Sequence, residues 1–193
     1  MKCVLCAMLL VFVSAAAFPQ KPPEELGQGV FYSAAGDIAI GVDATIVDMR
    51  LKSPYIMFMA YVVAGHDKSY TVKRNDVVMV YKGQEYQMTP IKEVEEKYRQ
   101  IREDIGLQRR FNKELLLFSK MQEYSFPYEN EFFPGPGQNQ PLAVNSGQVT
   151  GLVGFKTKLY FKNPGLAKGD ELIIKIRDEH NLQTMGQVKV VIQ

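Results

Sequence analysis

Tyr55-Ile56-Met57-Phe58-Met59-Ala60-Tyr61-Val62-Val63-Ala64 carries no charged or strongly polar side chain at any position. Successive side chains on a strand point to opposite faces, so a half-wet strand alternates apolar with polar. A run without alternation reads as a central strand covered on both sides. The flanks support a β reading. Gly65-His66-Asp67-Lys68 is a turn, Ser69 to Lys73 a strand, Arg74-Asn75-Asp76 a turn and Val77 to Tyr81 a strand. Lys82-Gly83-Gln84 then turns the chain into Glu85 to Met88. Short strands punctuated in this way belong to sandwiches and barrels.

Upstream, Ile38, Ile40, Val42, Ala44 and Ile46 share one face of a strand. Val47, Met49 and Leu51 continue one residue out of step, which predicts a β-bulge or a crossing between sheets. Downstream the period changes. Ile91, Val94, Tyr98, Ile101 and Ile105 recur at steps of three and four, predicting a helix capped by Thr89 with Pro90 at its first position. Gly106 is expected to end or kink it, with a second helical stretch carrying Phe111, Leu115 and Phe118. Residues 124–148 mix aromatics with Pro127, Pro134, Pro136 and Pro141 and predict a long loop without regular structure. Strands return from residue 149. Val153, Phe155, Thr157, Leu159 and Phe161 are expected inside, with Lys156, Lys158 and Lys162 outside. Leu172, Ile174 and Ile176, then Val188, Val190 and Ile192, form the last inward faces.

The N-terminus has the layout of a secretory signal peptide over 1–17: Lys2, an apolar run and Ala15-Ala16-Ala17. Cleavage there starts the mature chain at Phe18 and places it outside the cytoplasm. The run is short for a membrane span, and no later stretch is apolar enough to be one. Both cysteines, Cys3 and Cys6, leave with the signal, which excludes disulfides, thiol catalysis and cysteine-held zinc from the mature protein. Residues 18–36, rich in Pro, Gly and charge at their start, read as a flexible leader. The remainder, 37–193, reads as one all-β domain, a two-sheet sandwich with a helical and aromatic/Pro-rich insertion at 89–148. The net charge of +2 lacks the positive bias of a nucleic-acid binder.

The segments from Tyr55 to Met88 and from Leu152 to Asp178, the latter with Lys158-Leu159-Tyr160-Phe161-Lys162-Asn163-Pro164-Gly165 and Gly169-Asp170-Glu171-Leu172, resemble telokin-like, immunoglobulin-like modules of exported bacterial proteins. The chain departs from antibody domains in having no Trp and no mature Cys. The resemblance implies an immunoglobulin-like sandwich serving as an extracytoplasmic binding or structural module. It brings no catalytic residues with it.

Residue chemistry gives little support to catalysis. His66, beside Asp67, and His180, beside Asp178 and Glu179, lie in expected turns without a nucleophile elbow or a zinc-protease spacing. Asp170, Glu171, Asp178, Glu179 and Asn181 could offer oxygens to Ca²⁺ but lack EF-hand spacing. Glu93, Glu95, Glu96, Glu103 and Asp104 alternate with Lys92, Lys97, Arg99 and Arg102, as on a solvated helix face. No catalytic residue, metal or cofactor is therefore assigned. The candidate partner-binding residues are the rings of the aromatic loop, Tyr124, Phe126, Tyr128, Phe132 and Phe133, because aromatic side chains on a loop present contact area at low entropy cost. The expected partner is another envelope or secreted protein. Two rival readings are a hydrolase or carbohydrate-active domain using a carboxylate pair, and an assembly or chaperone-like factor with an open strand edge.

Overall fold

A computed structural model describes residues 23–129, 132, 145–177 and 183–193. The expected signal peptide and Phe18 lie outside the described residues. In chain order the strands are β1 (Glu24–Gly27), β2 (Val30–Ser33), β3 (Ile38–Asp43), β4 (Tyr55–Ala64), β5 (Ser69–Lys73), β6 (Val77–Tyr81) and β7 (Gln84–Gln87). Helices α1 (Ile91–Lys97), α2 (Ile101–Phe111) and α3 (Glu114–Met121) follow. β8 (Ser125–Glu129), β9 (Ser146–Thr150), β10 (Val153–Lys162), β11 (Glu171–Arg177) and β12 (Thr184–Val191) complete the chain.

These strands form two sheets. The larger runs β1-β2-β3-β4-β10-β9-β5, with β8 also paired to β10; the smaller runs β12-β11-β6-β7. All pairings are antiparallel except β8 with β10. β4 is buried at every residue and divides its side chains by parity. Ile56, Phe58, Ala60, Val62 and Ala64 point between the sheets and meet Phe155, Leu159, Leu172, Ile174, Val188 and Val190. Tyr55 and Met57 point the other way, onto α1 and α2 through Val94, Tyr98, Ile101 and Ile105. Met59, Tyr61 and Val63 meet Leu117 and Met121 of α3. The apolar run is thus explained by three layers: small sheet, large sheet and helices. Phe58 and Leu159, directly paired across β4 and β10, are core residues, and truncating Phe58 to Ala would cost about 3–5 kcal/mol.

One edge of the two sheets is pinned by an isolated bridge between Gly36 and Gly186. A Cβ at Gly186 would lie 2.3 Å from the Ile38 carbonyl oxygen, so only a glycine lets the backbones approach this closely.

Several expectations are corrected. The phase slip after Ile46 is not a bulge. The strand ends at Asp43, whose Oδ1 accepts from Thr45 N at 2.9 Å and turns the chain. Bonds from Val47 to Ala44, Met49 to Ile46 and Arg50 to Val47 then wind a 3₁₀ stretch, which buries Ile46 and Val47 together and leaves Met49 exposed. The helix breaks at Tyr98, not at Gly106: Tyr98 takes an extended conformation (φ −114°, ψ 103°), while Gly106 sits inside α2. Pro90 rather than Thr89 is the cap of α1, and the Thr89 hydroxyl makes no cap bond. On α3 the buried residues are Leu117 and Met121, whereas Leu115 is 83% exposed.

Residues 24–33, expected within the leader, form the β1–β2 hairpin, because Val30 and Phe31 are buried. The expected loop 124–148 contributes β8 and β9 to the large sheet, so the insertion is woven into the fold. On β10, Lys158, expected outside, is buried with Tyr160 on the face that the helices cover, and Val153, expected inside, is exposed.

Candidate partner surface and buried polar cluster

Four of the five aromatic positions can be placed in full or in part. Tyr124 follows α3, its N–H donating to Met121 O at 3.0 Å, and Ser125 N then bonds Leu152 O at 2.9 Å, which starts β8 beside β10. Phe126 meets Tyr61 edge-on, with centroids 5.5 Å apart, and stacks on Phe118 of α3 at 6.3 Å. A Cβ on Gly154 would lie 2.4 Å from the Val62 carbonyl oxygen and 2.6 Å from Val63 Cγ1, with the Phe126 ring next at 3.1 Å. Tyr124 lies 6.3 Å from His66, whose Nε2 is 3.3 Å from Glu123 Oε2, an exposed pair.

Tyr124 and Phe126 are both half-buried. With Phe118 and the exposed Leu115 one turn earlier on α3, they present apolar and phenolic surface on a rigid corner. Beside it opens a groove of about 470 Å³ lined by Ser119, Lys120, Gln122 and Glu123. Burial raises the Tyr124 pKa, and the Glu123 carboxylate raises it further. Burial also raises that of Tyr32, with Tyr124, Glu123 and Glu24 adding to the effect.

The remaining rings divide. Phe132 is fully buried between the sheets, 5.5 Å from Phe155 in an edge-on arrangement, with its N–H donating to Thr157 Oγ1 at 3.0 Å. It fills core space and offers no surface to a partner in this fold. Tyr128 stands in β8 opposite Phe155, with its side chain outside the described residues. Phe133 lies outside the described residues.

A second polar constellation pins α1 and α2 to the sheet. Arg50 Nε donates to Asp104 Oδ1 at 2.7 Å, and its Nη2 donates to Glu103 Oε2 at 3.0 Å. Tyr160 OH donates to Asp104 Oδ2 at 3.3 Å, and Ser53 Oγ donates to Tyr98 OH at 3.1 Å. Tyr55 OH reaches Glu93 Oε1, which also meets Lys162 and Lys97. Burial lifts the Asp104 carboxyl above its usual range, against the bonds from Tyr98, Arg50 and Tyr160 that favour its ionised form. Burial likewise pushes Tyr98 up to about 12. Asp104 and Glu93 therefore do not belong to a solvated face. Asp104 is three residues beyond Ile101 and adjacent to Ile105, which is the sequence signal that places it on the apolar stripe. Only 1% exposed and held by three side chains, the Asp104 carboxylate locks a helix pair and has no route to a substrate.

The other candidates are tied up locally. His66 pairs with Glu123 rather than with its neighbour Asp67. Asp170 Oδ2 accepts from Tyr81 OH at 2.7 Å and Ala167 N at 2.8 Å, and Glu171 pairs with Lys189. Asp178, Glu179, His180 and Asn181 lie outside the described residues. Among the described residues no group of three or more His, Cys, Asp or Glu could hold a metal, and no helix is long and apolar enough to cross a membrane. No protein-family model, no curated protein and no solved structure matches the chain.

Proposed function

We propose that this chain is an exported, immunoglobulin-like binding module, non-enzymatic, which holds another envelope or secreted protein through the corner between α3 and β8. The observation that carries the reading is the ring series Tyr61–Phe126–Phe118 with Tyr124 beside it: its inner end is anchored in the core and its outer members are half-exposed. Preorganised aromatic groups on a fixed scaffold lose little entropy on contact and supply the anchors of protein interfaces. The signal layout of residues 1–17 supports export, since a partner would then be met outside the cytoplasm.

The test is crosslinking and pull-down from native envelope with the intact protein, with Tyr124→Ala and with Leu115→Glu. Capture of a defined partner that falls about tenfold in affinity in each variant, at an unchanged thermal midpoint, is the expected result. Undiminished capture by both variants removes this corner from the interface. Intact mass on secreted material addresses export separately: it should start at Phe18, and retention of residues 1–17 overturns the localisation.

A further inference from the structure

Helix α2 carries two acids, and Arg50 occupies both. It reaches Glu103 and Asp104 from the 3₁₀ stretch that follows β3. The remaining charges on α2 are all arginines: Arg102, Arg109 and Arg110. Arg99 precedes the helix and Lys113 follows it. Among the described residues none of these five cations meets a carboxylate. By contrast, Lys92 and Lys97 of α1 and Lys120 of α3 each pair with a glutamate. The four arginines are all exposed.

Helical spacing gathers them into a stripe. Arg102, Gly106, Arg109 and Arg110 follow at steps of four, three and one, on the side of α2 away from the buried Ile101, Asp104 and Ile105. The helix dipole favours cations in the last turn, where Arg109 and Arg110 stand, and disfavours one in the first turn, where Arg102 stands. Helix stability therefore does not explain the stripe. Midway along it, a Cβ on Gly106 would meet nothing within 4 Å, so the backbone lies open between the arginines on either side. A guanidinium fork takes a carboxylate by two parallel hydrogen bonds. The stripe also runs on toward the α3–β8 corner, since Lys113 leads directly into α3, where Leu115 is 83% exposed. An anionic bilayer would require exposed apolar groups on α2 to enter it. Leu107 and Phe111 are only half-buried there, and Arg110 lies over the Phe111 ring at 5.5 Å, so α2 turns charge rather than apolar surface outward.

Resting on the partner reading above, we propose that the partner carries an acidic segment, rich in Asp or Glu, which lies along α2 with its carboxylates on Arg102, Arg109 and Arg110. The probe is a fluorescein-labelled oligoglutamate peptide, titrated against the full chain and followed by fluorescence anisotropy and by the Gly106 amide resonance. The peptide should bind saturably, more weakly as salt rises, and shift that resonance. The combined variant Arg102→Gln, Arg109→Gln, Arg110→Gln should weaken binding about tenfold or more. A control that loses the same charge on and beside the small sheet, Lys82→Gln, Lys168→Gln, Lys175→Gln, should bind as the native protein does. Equal loss in the two combined variants, or an unshifted Gly106 resonance, overturns the stripe. So does tighter arginine-dependent binding to phosphatidylglycerol vesicles than to the peptide, which would make the occupant a membrane. Capture from native envelope that ignores the arginine variant overturns it as well. If that variant does not fold, the Gly106 resonance of the native protein decides. The corner fails separately: capture undiminished by Tyr124→Ala, with the peptide still held by the arginines, removes the corner and supports the stripe.

Discussion

Arg50 and Glu103 meet near the surface, whereas Arg50 and Asp104 meet beneath it, and the two contacts differ in worth. Glu103 is mostly exposed, and such pairs contribute about 0–1 kcal/mol. Asp104 is enclosed, so removing its cation strands a buried charge, at a cost of about 3–5 kcal/mol. Arg50→Met is therefore expected to lower stability in urea titration by about that amount, and Glu103→Gln by under about 1 kcal/mol. Equal small losses would show that the cluster does not anchor α2. A carboxylate of the opposite kind sits at Asp170. The Tyr81 hydroxyl and then the Ala167 N–H hold its pKa below the usual range. A depressed acid contributes stability above its unfolded pKa, near 4, and loses it as pH falls through the lower folded value. Stability should thus decline below about pH 4 with a component that Asp170→Asn removes. In Tyr81→Phe the Asp170 carboxyl resonance should titrate at higher pH than in the native protein; an unmoved titration would show that the hydroxyl does not hold it.

At the scale of elements, close approach decides what a glycine is worth. At Gly186 a Cβ meets the Ile38 carbonyl oxygen at 2.3 Å, and backbone cannot swing aside. At Gly41 it meets Leu117 Cδ2 at 2.5 Å, the far end of a flexible side chain that docks α3 on the sheet. Gly186→Ala should cost about 3 kcal/mol or more, and Gly41→Ala about 1 kcal/mol, in denaturant titration. The reverse order would mean that the Gly36–Gly186 bridge is not a close contact in solution. Neither glycine is marked by its sequence surroundings, since what demands it comes from a distant strand or helix. Strands with a strong period are different. β4, β11 and β12 stand where alternation or continuous apolarity put them, because their own residues carry the signal. β1 and β8 are short, rich in Glu, Pro or Gly, and exist through their partners, so local reading assigned them to leader and loop. α3 shows the same limit: Leu115 and Leu117 are equally apolar, and only the position of the sheet decides that Leu117 is covered.

For the whole molecule, the decisive fact is that β4 is shared. Its even-numbered residues belong to the core between the sheets and its odd-numbered residues to the core under the helices. This explains what was legible. Ten apolar residues announced two covered faces, but the second cover is not a further sheet; it is the helical segment that reads locally as an insertion. The split between Phe132 in the core and Tyr124 near the surface is not marked in the sequence, because it depends on which layer each reaches. A shared strand also couples the layers. Removing α1 to α3 would uncover Tyr55, Met57, Tyr61 and Tyr160, large side chains that are now almost wholly buried, so the sandwich should not survive without its helices. Conversely, the helices have no second surface on which to fold alone. Small coupled domains unfold in one step, and probes of different layers then agree. In urea, the far-ultraviolet dichroism of the sheets and the near-ultraviolet signal of the tyrosines at the helix interface should trace the same transition. Replacing residues 91–121 with a short Gly/Ser linker should give a chain that binds a hydrophobic dye and lacks that cooperative transition. Two separated transitions, or a soluble linker variant that keeps a native-like unfolding curve, would show that the helices are an accessory laid on a self-sufficient sandwich.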